Sequence, residues 1–216
     1  MIDLAALLVS AKLAAVVSAV LLAVGLPLAW WLARSRSRVA ALVETVVALP
    51  LVLPPVVLGF YLLLAFSREG PFGALFGDLP FTFAGIVVGA TLVNLPVAVR
   101  PWTAAFAAVD RRYAEAAWCL GASRASAWRR VTLPLAARGL AAGLALTFAH
   151  TLGEFGVVLM LGGAAPGVTR TLSVAVFDQV QAMDYGSAAK TSLVLLAASA
   201  VALAIAGRFV PRGSAR

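Results

Sequence analysis

The chain has 216 residues, of which 62% are hydrophobic and only 12% charged, whereas an ordinary soluble domain has roughly 25% charged residues. This composition excludes a disordered chain, a disulfide-framework domain and a typical soluble enzyme. The net charge of +8 does not indicate nucleic-acid binding, because the basic residues interrupt apolar spans and form no basic groove with interleaved aromatics. The composition predicts a polytopic membrane protein, with residues 1–216 as one domain.

Cysteine and histidine each occur once, as Cys119 and His150. An internal disulfide is therefore impossible, and a zinc site built from Cys and His pairs is excluded. A Cys–His catalytic pair would require two distant segments to meet. We expect neither a metal site nor a catalytic residue in this chain.

Five stretches are apolar enough to cross a bilayer as helices, which takes about 20 residues each. The start does not resemble a cleavable signal peptide, because it lacks a basic region before an apolar stretch that is also too long. We therefore predict an all-α membrane protein with about five transmembrane helices, the first retained as an anchor. The predicted spans are residues 13–33, 45–66, 81–99, 135–161 and 191–207.

The cationic side chains are distributed unequally between the two sides of these spans. Thirteen of the seventeen fall on one side and four on the other. Because Lys and Arg are enriched in cytoplasmic loops, we predict an outside N-terminus, a cytoplasmic C-terminus and a cytoplasmic connection between spans three and four. The thirteen are Arg34, Arg36, Arg38, Arg100, Arg111, Arg112, Arg124, Arg129, Arg130, Arg138, Arg208, Arg212 and Arg216, and the four are Lys12, Arg68, Arg170 and Lys190.

Proline occurs in the middle of two spans. The pair Pro54-Pro55 lies within span two, where it frees backbone carbonyls that must face protein or a water-filled cavity. This favours a pathway over an inert anchor. We expect Pro96 to break span three, and the amide of Asn94 to bond carbonyls that this proline frees.

The connection over residues 100–133 predicts two short helices separated by a turn. Asp110 can cap the first helix and Gly121 can end it. Ser123 can cap a second helix through Val131, and Pro134 suits the start of span four. Composition alone leaves open an amphipathic surface helix whose arginines face anionic lipid.

A spaced motif within this connection favours a docking role instead. Glu115, Ala116 and Ala117 are followed by Gly121 after three residues, by Val131 after nine more and by Leu133-Pro134 after one more. This resembles the EAA motif of ABC-importer permeases, EAA-x3-G-x9-I-x-LP, with Val in place of Ile.

The resemblance implies a coupling helix that docks on a separate ATPase subunit. The residues implied in docking are Tyr113, Glu115, Ala116, Ala117, Leu120, Gly121, Leu133 and Pro134. ATP and Mg would be bound by that partner, since the glycine-bearing stretch 161–167 lacks the lysine of a P-loop. The chain itself is then no enzyme.

The same resemblance implies a particular assembly in a bacterial or archaeal plasma membrane. It comprises a second permease copy, two ATPase subunits and an external oxyanion-binding protein. A homodimer is expected, and a heterodimer with a similar chain stays open. Membrane lipid is the remaining expected contact, and nucleic acid is not expected.

Three further segments resemble the molybdate branch of these permeases, namely residues 49–59, 152–156 and 169–172. The double-proline and Leu-Gly-Glu-Phe-Gly segments also occur in sulfate-type relatives, so they indicate oxyanion import more firmly than molybdate. Sulfate, thiosulfate, tungstate and phosphate stay open as solutes. An ion-coupled carrier working without an ATPase is a rival of another class, and a membrane enzyme is a third.

Four polar residues of span four follow helical spacing: Thr147, His150, Thr151 and Glu154. Polar groups inside a membrane often mark a pathway, but hydrogen bonding between helices explains them equally well. We expect His150 and Glu154 to pair one turn apart. Because a carboxylate repels an oxyanion, Glu154 is predicted to be a gate or packing element, and not a ligand.

Arg170 lies beyond span four, in the outer segment 169–172. It could attract an oxyanion or contact the delivering protein. An exposed loop arginine without a role is the competing interpretation, and is the commoner situation.

Overall fold

The computed structural model describes residues 3–208, and Arg212 and Arg216 lie outside them. Within this range the regular structure is helical, which confirms the predicted all-α fold. Helix α7 continues into α8 through a π-helical turn, Trp128–Thr132. The helices are α1 (Leu4–Arg34), α2 (Arg38–Val52), α3 (Pro55–Phe66), α4 (Gly73–Phe76), α5 (Phe83–Ala107), α6 (Arg111–Cys119), α7 (Arg124–Ala127), α8 (Leu133–Leu152), α9 (Gly156–Gly162), α10 (Leu172–Gln181) and α11 (Tyr185–Gly207).

Four continuous helices in the described range are long and apolar enough to cross a membrane. They are Leu4–Arg34, Phe83–Ala107, Arg124–Leu152 and Tyr185–Ile205. Helices α2 and α3 together pass the same test but are bent by 109° at their junction. The predicted number of about five spans is therefore reached when this bent pair is counted as one.

The bend between α2 and α3 follows from the double proline. Leu53 and Pro54 both adopt extended backbone, with ψ near 130° (135° and 129°). A proline disfavours helical backbone in the residue before it, so two consecutive prolines end α2 and allow α3 to begin at Pro55. The break is consistent with the prediction that the double proline leaves backbone carbonyls without helical hydrogen-bond donors.

Span four differs from its predicted limits at both ends. It begins at Arg124 and ends at Leu152, and the predicted continuation to Leu161 is wrong because the chain leaves the helix at Gly153 and re-enters one at Gly156. At its start, Leu133 donates to Trp128 O across the π turn. Pro134 lacks an N–H and crowds the preceding carbonyls, which explains why the turn before it is widened. Span four therefore does not begin at Pro134, as the sequence predicted, but continues from α7.

Pro96 does not break span three. Helix α5 runs from Phe83 to Ala107 through both Pro96 and Pro101, so the expected interruption is wrong. Neighbouring helices support the helix there, because α5 packs against α1 and α8 and Trp102 is fully buried between them. Trp102 Nε1 donates to Leu140 O on α8 at 2.9 Å.

The two ends of the bundle are marked by different contacts of α1. Asp3, at its first turn, lies 3.3 Å from Arg170 in the loop before α10. Arg34, at its last turn, shares a cavity with Arg111 and Arg124 of α6 and α7. We call these the Asp3 end and the α6 end, and they are the two sides that the charge distribution separates.

Candidate functional site

The connection at the α6 end folds into the predicted helix, turn and helix. Asp110 caps α6 by accepting a hydrogen bond from Arg112 N at 2.9 Å, and Ser123 caps α7 by accepting from Ser126 N at 3.2 Å. Gly121 has φ +84°, a conformation that glycine adopts without steric penalty. The second helix continues into α8 and does not end at Val131.

One face of α6 is apolar and uncovered. Leu120 is 89% exposed and Tyr113 is 58% exposed. Ala116 and Ala117 lie between them on the same face at helical spacing, exposed and half-buried respectively, whereas Ala114 points into the protein and is buried. We call Tyr113, Ala116, Ala117 and Leu120 the docking face.

The other implied docking residues lie around this face or beyond it. Glu115 is exposed on the neighbouring flank of α6. Leu133 is half-buried and packs against the core, and Pro134 is exposed at the junction with α8. The Leu-Pro pair thus lies at the start of α8, beyond the four residues named above, and its expected part in docking stays a prediction.

The two helix breaks meet elsewhere in the bundle and border an open cavity of about 570 Å³. Gly156 permits the approach, since a Cβ there would lie 2.9 Å from Pro55 Cβ. We call this space the break cavity. It is lined by Pro55, Val56, Ala149, His150, Gly153, Glu154, Phe155 and Gly156.

His150 is the polar side chain most open to the break cavity, with 46% of its side chain exposed. Its Nδ1 lies 3.0 Å from Asn94 Oδ1 on α5. Asn94 Nδ2 donates to Ala90 O at 2.8 Å, which fixes the amide orientation and leaves Oδ1 as the acceptor. His150 Nδ1 is therefore the donor in this bond, and Nε2 takes no part in it.

The predicted partnership of His150 and Glu154 is looser than that with Asn94. Glu154 Oε2 lies 4.0 Å from His150 Nδ1, and the Glu154 side chain is only 5% exposed. Its backbone carbonyl accepts from Ser173 Oγ on α10 at 2.6 Å. The expectation that Asn94 bonds a carbonyl freed by Pro96 is wrong, because its amide donates to Ala90 O. Its contact with His150 joins α5 to α8.

Thr147 and Thr151 do not line the break cavity. Both are buried, and their hydroxyls donate to Gly143 O and Thr147 O of their own helix, each at 2.8 Å. Because α8 ends at Leu152, Glu154 does not continue their helical stripe. Pro54 connects α2 to α3 and is likewise absent from the lining.

Arg170 is held between two carboxylates at the Asp3 end. Its Nη1 lies 3.3 Å from Asp3 Oδ2, and its Nε lies 3.0 Å from Asp178 Oδ2. This neutralises its charge and joins α1 to α10, which does not favour an anion-attracting role. Asp3 lies at the opposite side of the sequence, 167 residues earlier, so sequence reasoning could not find that half of the pairing.

No cluster of three or more His, Cys, Asp or Glu side chains within residues 3–208 is arranged to hold a metal ion. Asn94 is the site residue whose partner sequence reasoning missed. The sequence feature that could have indicated this partner is the primary amide of Asn94 inside an apolar span, because a buried amide requires hydrogen-bond partners.

The sequence of this chain is similar to permease components of known transport systems. Residues 25–214 match the family described as "Binding-protein-dependent transport system inner membrane component". Over 86% of its length the chain is 50% identical to the molybdenum transport system permease protein ModB of Azotobacter vinelandii, of which it covers 84%. It is 35% identical to ModB of Escherichia coli K12, with 93% of this chain and 90% of that protein covered.

A sulfate relative is also similar. The chain is 35% identical to the sulfate transport system permease protein CysT of Salmonella typhimurium, over 82% of this chain and 66% of that protein.

Two solved structures share the fold at 18% sequence identity. An inward-facing structure of the MetNI methionine ABC transporter has a TM-score of 0.75, with 96% of this chain and 94% of that chain covered. A bacterial alginate ABC transporter, in complex with an alginate pentasaccharide-bound periplasmic protein, has a TM-score of 0.70, with 97% and 78% covered.

Proposed function

The chain belongs to the inner-membrane-component family of binding-protein-dependent transport systems. We propose that it is the permease subunit of an ATP-driven molybdate importer and that it works as follows. It is a multi-pass inner-membrane protein and is not itself a catalytic enzyme. The observation that carries the proposal is the docking face, an uncovered apolar surface on a helix outside the spans, in a chain whose similar relatives are molybdenum permeases.

The docking face seats in a separate cytoplasmic ATPase, which binds ATP and Mg. An exposed apolar patch rimmed by charged residues is typical of a protein interface. Glu115 adds a charge-assisted contact on its flank, and Gly121 makes the turn sharp enough for close approach. With the N-terminus outside, the α6 end lies in the cytoplasm, where an ATPase is accessible.

The fold offers a direct mechanical connection from this face to the break cavity. Arg124–Leu152 is one continuous helical segment of 29 residues, about 43 Å long at ~1.5 Å per residue. Its first turn follows α6, and His150 lies in its last turn. Displacement of α6 by the ATPase therefore moves one wall of the break cavity.

The break cavity forms part of the translocation path. Its walls include non-helical residues of the two helix breaks together with His150. Non-helical backbone at membrane depth is tolerated where it is buried in protein or lines a water-filled cavity. His150 donates from Nδ1 to Asn94, so only its protonated form would also offer an N–H from Nε2 to an oxyanion. Glu154 repels a dianion and acts as a gate element, since a permease must release its solute readily.

The assembly contains two copies of the chain, two ATPases and an external oxyanion-binding protein. One chain supplies one docking face, and closure of an ATPase pair acts on two. The alginate transporter of similar fold has a periplasmic protein bound, which supports an external partner of that kind here. Solute choice then resides mainly in that binding protein.

Uptake of labelled molybdate into proteoliposomes tests the function. The permease is reconstituted with the ATPase and binding protein encoded beside it, and the control contains an ATPase unable to hydrolyse ATP. We expect ATP-dependent uptake that excess sulfate does not suppress. Uptake that persists with the inactive ATPase would indicate an ion-coupled carrier, and equal competition by sulfate would assign the chain a broader oxyanion specificity.

A further inference from the structure

A second cavity lies at the α6 end, apart from the break cavity, and has a volume of about 540 Å³. It separates α1 from α6 and α7, and it lies on the side of α6 opposite the docking face, beside the buried Ala114. We call it the interfacial cavity. It is lined by Leu22, Leu26, Pro27, Trp30, Arg34, Arg111, Ala114, Trp118, Arg124, Ala125, Ala127, Trp128 and Thr132.

The charges on the interfacial cavity are all positive. Arg34, Arg111 and Arg124 belong to its lining, which includes no carboxylate among the described residues. None of the three lies within 4.0 Å of a carboxylate in the described part of the chain. The Arg124 guanidinium lies 6.0 Å from the ring of Trp118, a cation–π distance that positions it at the rim.

Apart from Thr132, the remainder of the wall is apolar and aromatic. Trp30 and Trp128 meet edge to face, with ring centroids 6.4 Å apart. Trp128 Nε1 is buried without a hydrogen-bond partner in residues 3–208, although a buried indole N–H usually has an acceptor. The Trp128 N–H is thus an unpaired donor enclosed beside a cavity whose lining includes three arginines without a carboxylate partner.

The stretch of α1 that lines the interfacial cavity is about as long as one leaflet of a bilayer is thick. Leu22, Leu26, Trp30 and Arg34 follow one stripe of α1 over twelve residues, about 18 Å at ~1.5 Å per residue. Half of a hydrocarbon core of ~30 Å is about 15 Å. Leu22 thus lies near mid-membrane depth, whereas the arginines and tryptophans lie where headgroups and aromatic belts occur.

From this arrangement we propose that the interfacial cavity binds one anionic phospholipid, with its phosphate on Arg34, Arg111 and Arg124 and an acyl chain along Leu22, Leu26 and Trp30. Basic pockets between membrane helices at the cytoplasmic surface recognise anionic headgroups in this way. The lipid supports the underside of α6, so the docking face rests partly on it.

Quenching of tryptophan fluorescence by phosphatidylglycerol with brominated acyl chains measures this binding in the detergent-purified full chain. Brominated phosphatidylcholine is the comparison lipid. We expect stronger quenching by the anionic lipid at equal concentration. The cavity variant carries Arg34→Gln, Arg111→Gln and Arg124→Gln, and each arginine is expected to contribute about fivefold to affinity, so on the order of a hundredfold is lost.

The matched control carries Arg129→Gln, Arg130→Gln and Arg138→Gln, which removes the same charge from exposed positions outside the cavity. It is expected to bind the lipid as the unmodified chain does. A second variant, Ala125→Phe, fills the cavity but keeps every arginine, and it is expected to lose the quenching while retaining its helical circular dichroism and its elution volume.

Four outcomes would overturn the proposal. Equal quenching by both lipids would indicate apolar partitioning alone, and equal losses in the two arginine variants would indicate unspecific surface charge. Displacement of the lipid by inorganic phosphate or molybdate would make the cavity a soluble-oxyanion site. Quenching confined to monomer and lost in dimer fractions would assign the surface to a second copy of the chain.

Discussion

Replacing Leu120 by alanine tests the docking face with little risk to the fold. Leu120 is 89% exposed, so the permease alone gains almost nothing from its side chain, and its free energy of unfolding should not change. Docking in an ATPase cleft would bury that side chain. Leucine exceeds alanine by three carbons, and each buried methylene contributes about 0.8 kcal/mol, so Leu120→Ala should weaken association by about 2 kcal/mol.

That free energy corresponds to about a thirtyfold rise in Kd. Titration of the ATPase onto labelled, detergent-solubilised permease measures it directly. The control is Val168→Ala, which shortens an apolar side chain that is 46% exposed in the loop before α10, at the Asp3 end. An unchanged Kd for Leu120→Ala, or an equal change for the control, would refute the assignment of α6 as the docking helix.

Three further changes probe the turn, the cavity wall and the core. At Gly121, where φ is +84°, valine should strain the backbone by about 2 kcal/mol and abolish uptake and ATPase co-purification, while Gly121→Asn should largely retain both. A double-mutant cycle of His150→Ala and Asn94→Ala should give a coupling of about 0.6 kcal/mol in unfolding free energy, the average between membrane helices, and zero coupling would show that the bond is not formed. Gly143→Ala would place a Cβ 2.7 Å from Trp102 Nε1, so a destabilisation of about 1–3 kcal/mol is expected in SDS unfolding, and unchanged stability would contradict the packing.

The helices themselves were predictable because long apolar stretches have one stable backbone conformation in a bilayer. The caps of α6 and α7 were predictable for a local reason, since Asp110 and Ser123 bond to amides two and three residues away. Each of these features depends on residues close together in the chain. The sequence pattern therefore carries them without knowledge of the tertiary structure.

Features that depend on distant residues were missed or misplaced. Asn94 and His150 are 56 residues apart, and Arg170 pairs with Asp3 from the other end of the chain. Continuity of α5 through Pro96 depends on α1 and α8, which pack against it. Local proline rules apply to an isolated helix, and here the neighbouring helices outweigh them.

The four polar residues predicted as one stripe of span four lie in different environments in the structure. Along a continuous helix, Thr147, His150, Thr151 and Glu154 would share one face and one environment. Thr147 and Thr151 are buried and bonded within α8, whereas the half-exposed His150 of the same helix reaches the break cavity, and the break after Leu152 places Glu154 there as well. In the proposed mechanism the segment that moves with α6 therefore ends at the break between α8 and α9, beside His150 and Glu154. A shift of α8 relative to α9 at this break would change the shape of the break cavity without bending a continuous helix.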